Sequence, residues 1–123
     1  MEQNFIKFAI EKAEIGLVQE LKEAPCTLSF IRATINDALD LPESVSEQTK
    51  EQREIGFKAT LDFICHLLKD KGCVAGNMIP DVFVEWHLLP EETVEKVRSE
   101  FIRLGENASP ADEPWFKIKK ETK

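Results

Sequence analysis

Asp81-Val82-Phe83-Val84-Glu85-Trp86-His87-Leu88-Leu89 is the stretch on which the fold turns. Val82, Val84, Trp86 and Leu88 alternate as the residues on one face of a strand do, whereas Val82, Trp86 and Leu89 also fall together on a helix turn. Pro80 followed by Asp81 makes a good first helical turn, and no strong strand partner stands nearby, so a helix is expected here. The residues just before, Cys73 to Ile79, contain Gly76 and Asn77 and are expected to form a loop.

Outward from this stretch the helical period is plain. Ile6, Ile10, Ala13, Leu17 and Leu21 define a helix from Asn4 to Ala24, which Pro25 stops, and Phe5, Phe8, Ile15 and Val18 widen its apolar stripe. Thr27 is a natural N-cap for a second helix carrying Leu28, Ile31, Ile35 and Ala38 or Leu39, closed before Pro42. Ser44 with Glu47 reads as a capping box opening a long third helix, with core residues Phe57, Leu61, Ile64 and Leu68 and a C-terminal cap at Gly72. Pro90 begins the last clear helix, with Glu91 and Glu92 near its N-terminus, Val94, Val97, Phe101 and Leu104 facing inward, and Gly105 closing it. The expected fold is therefore all-α: a single small bundle of four or five helices over residues 1–105, with an extended C-terminal tail over 106–123. Trp115, Phe116 and Ile118 in that tail are apolar enough to pack back on the body or to enter a partner.

The chain has 123 residues, with 16 Lys and Arg against 23 Asp and Glu, a net charge of −7. That sign opposes binding to nucleic acid through phosphate neutralisation and favours contact with basic surfaces of other proteins. The deficit sits on the body, since residues 1–105 hold 12 basic and 19 acidic side chains and the tail holds 4 of each. Three cysteines, Cys26, Cys65 and Cys73, cannot all pair, and no long apolar run suggests a signal peptide or membrane span, so a cytoplasmic protein is expected.

Chemistry-bearing patterns are sparse. Cys65, His66, Cys73 and His87 lack zinc-site spacing, and no metal or other cofactor is expected. Glu11/Glu14, Glu20/Glu23, Asp37/Asp40 and Glu51/Glu54 set paired acids on helix faces, as in four-helix nucleotide hydrolases that hold magnesium. There are six such i,i+3 acid pairs in all, against about four expected by chance. Cys73 and His87 are the one imaginable thiol and base pair, and no nucleophile elbow or phosphate loop is present, so no catalytic residue is expected. Candidate partner-binding residues are instead the acidic stripe Glu47, Glu51 and Glu54, the Trp86-His87 step bracketed by acids, and Trp115-Phe116.

Gly72-Cys73, Met78-Ile79, Asp81, Val82-Phe83, Trp86-His87 and Glu91-Glu92 together resemble the PcfK-like family of mobile-element proteins. That resemblance implies a small, mostly helical protein of phage or mobile-element origin without a catalytic residue. Some members of the family inhibit the nuclease effector of type II CRISPR systems. The expected function is thus a small acidic non-enzymatic module that occupies a basic surface of a larger nucleic-acid enzyme. The alternatives are a metal-dependent nucleotide hydrolase with helix-borne carboxylates, or a structural homo-oligomer that buries the apolar tail.

Overall fold

Thr27 and Thr49 each begin a helix by the same device, a threonine oxygen accepting from an amide three residues on. In the computed structural model, which describes residues 2–42, 45–104 and 113–119, the helices are α1 (Gln3–Glu23), α2 (Leu28–Ala38), α3 (Lys50–Asp70) and α4 (Pro90–Leu104). The apolar spacing anticipated all four. Ser44, Gly105 and the stretch 105–112 lie outside the described residues.

The start of α3 corrects the reading of Glu47 as a helical capping residue. Glu47 ends a short 3-10 turn, Val45–Glu47, and the capping box is Thr49 with Gln52. Thr49 Oγ1 accepts from the Gln52 amide at 3.1 Å, and Gln52 Oε1 accepts from the Thr49 amide at 2.9 Å. At the other end Gly72, with φ 69, supplies the expected left-handed residue. Asp40 plays that part for α2 at φ 58: its amide donates to Asp37 and the Leu41 amide to Asn36, a Schellman pair that buries Leu41.

The expectation of an all-α bundle is overturned. Cys73–Met78, read as a loop, is a strand, and Phe83–Glu85, read as part of a helix, is its hairpin partner. Trp115–Ile118, read as tail, is a third strand, and Cys26–Thr27 a fourth. In chain order these are β1 (Cys26–Thr27), β2 (Cys73–Met78), β3 (Phe83–Glu85) and β4 (Trp115–Ile118), in one antiparallel sheet ordered β1-β4-β2-β3. The protein is mixed α/β.

The misleading residue was Gly76. It marks no turn: a Cβ there would lie 2.2 Å from the Val84 carbonyl oxygen, so glycine is what lets β3 close on β2. The strand partner that 81–89 seemed to lack stands immediately upstream, in β2, and β2 is held in turn from far along the chain, because β4 pairs Ala75 with Phe116 and Cys73 with Ile118.

The helices cover one face of the sheet, α1 packing on β4 and α3 on β2. Leu17, Leu21, Ile31, Ile35, Phe63, Ile64 and Leu67 meet Cys73, Ala75, Phe116 and Ile118 in the interior. Glu113 ties β4 to the start of α2 from a buried position: its two carboxylate oxygens accept from the Ser29 amide at 2.7 Å and the Ser29 hydroxyl at 3.0 Å. The Leu28 amide donates to Pro114 beside it. Among the described residues no helix is long and apolar enough to cross a membrane.

Candidate functional site

Trp86 continues β3 beyond its last ladder residue, its amide donating to Ala75 at 3.0 Å. The indole Nε1 donates to Asn77 Oδ1 at 2.6 Å, and Lys96 Nζ sits 4.3 Å from the ring centroid. Trp86 is thus half-buried and held by three contacts from two elements, β2 and α4. His87 turns the chain out of the sheet with φ 56, a conformation that histidine adopts more readily than bulkier residues. Its exposed ring places Nδ1 3.3 Å from Glu85 Oε2, while Glu85 Oε1 is 2.9 Å from Lys119 Nζ.

A cavity of about 280 Å³ opens beside this turn, with Leu68, Cys73, Glu85, His87, Leu88 and Thr93 on its walls. It brings Cys73 and His87 to one place, as the sequence suggested. Burial, however, pushes the Cys73 thiol up to about 12, so it is protonated and a poor nucleophile at neutral pH.

What the helical reading of 81–89 missed is the apolar surface around Trp86. Ile79 (60% exposed), Val82 (62%), Val84 and Leu89 stand in solvent. The signal was the strict alternation of Val82, Val84 and Trp86, which puts them on one face of the hairpin.

Trp115 and Phe116 do not act together. Phe116 is fully buried at the centre of the sheet and belongs to the core, while Trp115 points to the opposite face and is half-buried.

Glu47, Glu51 and Glu54 are all exposed, and none has an ion-pair partner among the described residues. They sit where α3 begins, close to the end of α2. Gln48 Nε2 donates to the Pro42 carbonyl at 2.7 Å, and Gly56 of α3 packs against Asn36 of α2. At the same end, α1 and α2 enclose a groove of about 470 Å³ floored by Phe5, Phe8, Ala9, Ala13 and Ala38 and edged by Asp37. Phe5 and Phe8, expected in the core stripe, are 43% and 59% exposed there. Lys12 of α1 lies 5.3 Å from the Phe8 ring centroid, and Thr34 of α2 completes the groove.

The paired carboxylates are dispersed. His66 lies 2.6 Å from Glu14 and 2.9 Å from Asp70, an α1–α3 link that Lys71 extends through Glu14. Among the described residues no three His, Cys, Asp or Glu side chains are placed to hold a metal ion. In comparisons with known proteins, no family model matches this chain, and no curated protein and no solved structure matches it either.

Proposed function

We propose that this chain is a non-enzymatic protein-binding module whose α1–α2 groove and acidic α3 start occupy a basic surface of a larger protein. The observation that carries the reading is the pairing of an open apolar groove, with Phe5 and Phe8 exposed, and an acidic stripe that has no ion-pair partner among the described residues, at one end of the helical layer. Exposed aromatic rings next to charge are what an interface needs: the rings supply desolvation and the carboxylates steer a cationic surface into register. Phe116, fully buried, belongs to the core and not to this surface. The resemblance to PcfK-like proteins makes the basic channel of a type II CRISPR nuclease the first partner to try. The test is capture from host lysate by immobilised wild type and by Phe8→Asp, each at low and raised salt. A retained protein lost with Phe8→Asp and weakened by salt supports the proposal. A retained set indifferent to both overturns it.

A further inference from the structure

Phe5, Phe8, Lys12 and Ile15 follow one another along α1 at steps of three, four and three, the spacing of a stripe that receives another helix. Phe5 and Phe8 stand in the α1–α2 groove, and Ile15, 77% exposed, carries the stripe beyond it. From Phe5 to Ile15 the stripe runs about 15 Å, roughly three helical turns. Gly16 lies beside Ile15 in the interior of α1. Glycine there weakens a helix relative to alanine, yet a Cβ at this position would meet nothing within 4 Å, so no contact inside the chain asks for it. What its bare backbone offers is close approach to an element laid along α1.

We infer that the element received here is an amphipathic helix of the partner, apolar on one face and flanked by Lys or Arg; this rests on the protein-binding reading above and names what that reading leaves open. The backbone decides between a helix and an extended segment. Both walls of the groove are helices, whose main-chain groups are bonded within α1 and α2, and no strand edge lines it. An extended segment lying there would bury amides and carbonyls with nothing to bond, whereas a helix arrives with its own satisfied. Ala9, Ala13 and Ala38 in the floor leave room for its large apolar side chains. The flanking charge follows from the carboxylates around the groove. Glu11, Asp37, Asp40, Glu51 and Glu54 are exposed and have no ion-pair partner among the described residues, and the end of α2 adds the negative pole of its dipole beside Asp37 and Asp40. Lys7 and Lys50 stand among them, while Lys12 lies over the Phe8 ring and Arg53 donates to the Gln48 carbonyl. Acids outnumber cations here, so a cationic helix is the one this charge draws in.

Fluorescence anisotropy with the full chain tests this. The probe is a labelled peptide of about three heptads with Leu at the a and d positions and Lys at the flanks, and its control has the same composition with the leucines scattered. The patterned peptide binds, gains helical circular dichroism as it does so, and exceeds the control in affinity by about tenfold or more. Gly16→Leu, which fills the close approach, weakens that binding about tenfold while raising the melting temperature of the chain itself, because leucine is the better helix former. Ile15→Lys weakens it as well without altering the groove wall. Equal binding of the two peptides overturns the inference and leaves the protein-binding reading standing, since acidity alone then holds the cation. Indifference to both Gly16→Leu and Ile15→Lys overturns it too. So does a wild type that sediments as a dimer which Ile15→Lys dissociates, because a second copy then covers the stripe.

Discussion

On the helical side of the interior, Leu17, Leu21, Ile31, Ile35, Ile64 and Leu67 fill space with branched side chains; opposite them the sheet offers Cys26, Cys73 and Ala75, with only Phe116 and Ile118 large. The two layers are therefore vulnerable to opposite changes. The helical layer depends on volume that is present, the outer half of the sheet on volume that is absent. Phe116 is where the two requirements meet, since it lies in the central strand and reaches into the helical core. Phe116→Ala is expected to have the largest effect of any single truncation, about 3–5 kcal/mol of unfolding free energy, read as a fall in the denaturant midpoint. An effect below ~1 kcal/mol would mean that the layers do not share one core.

Gly76→Ala is the complementary test, an addition instead of a deletion. The new methyl meets a backbone carbonyl rather than a flexible side chain, so β3 must move, and a cost of about 1–3 kcal/mol follows. Hydrogen exchange sharpens it: the Trp86 amide, bonded to Ala75, should lose protection while amides in the middle of α2 keep theirs. Equal loss in both would show the hairpin and helices opening as one unit.

This asymmetry also explains what could be read from the sequence. Each helix states its identity within its own length through a 3.6-residue stripe, with Thr27 as the cap of α2 and stops announced by Pro25, Pro42 and Gly72. The sheet does not. Its central strand, β4, has four residues, and its neighbours are found some 40 and 90 positions upstream. The alternation of Val82, Val84 and Trp86 was visible but was outweighed because its local partner, Cys73–Met78, reads as a loop through Gly76 and Asn77. Of the candidate surface, the exposure of Glu51 and Glu54 was legible from helical phase, whereas Glu47 precedes the helix. The groove was not, because Phe5 and Phe8 look like core residues until the packing of α1 against α2 is known.

Between the layers, two capping contacts predict smaller effects. Glu113 is buried and satisfies both the amide and hydroxyl of Ser29. Glu113→Gln keeps the shape and removes the charge and one acceptor, so about 1–2 kcal/mol is expected, together with weaker exchange protection in β4 and the first turn of α2. Thr49→Ala, which opens the α3 capping box from one side, should cost about 1 kcal/mol and leave the sheet untouched.

Cys73 gives the finest version of the same contrast, because its thiol is buried in β2 beneath α3. Cys73→Ala removes one buried atom and should cost no more than about 1 kcal/mol, whereas alkylation, which adds atoms, should be blocked in the folded chain. Desolvation by burial, more than its neighbour Cys26, holds the thiol's pKa at about 12. The folded state therefore keeps a proton that the unfolded chain releases near the ordinary thiol pKa of about 8.5. Stability from this site is intact below that value and drains away as pH rises toward about 12. Mass spectrometry after limited alkylation at mildly alkaline pH should find Cys65 and Cys26 modified before Cys73, and Cys73 only at the rate of unfolding. Rapid labelling of Cys73 in the native protein would mean that β2 separates from α3 far more easily than its packing implies, and that the small residues of the sheet are there for motion and not for close approach.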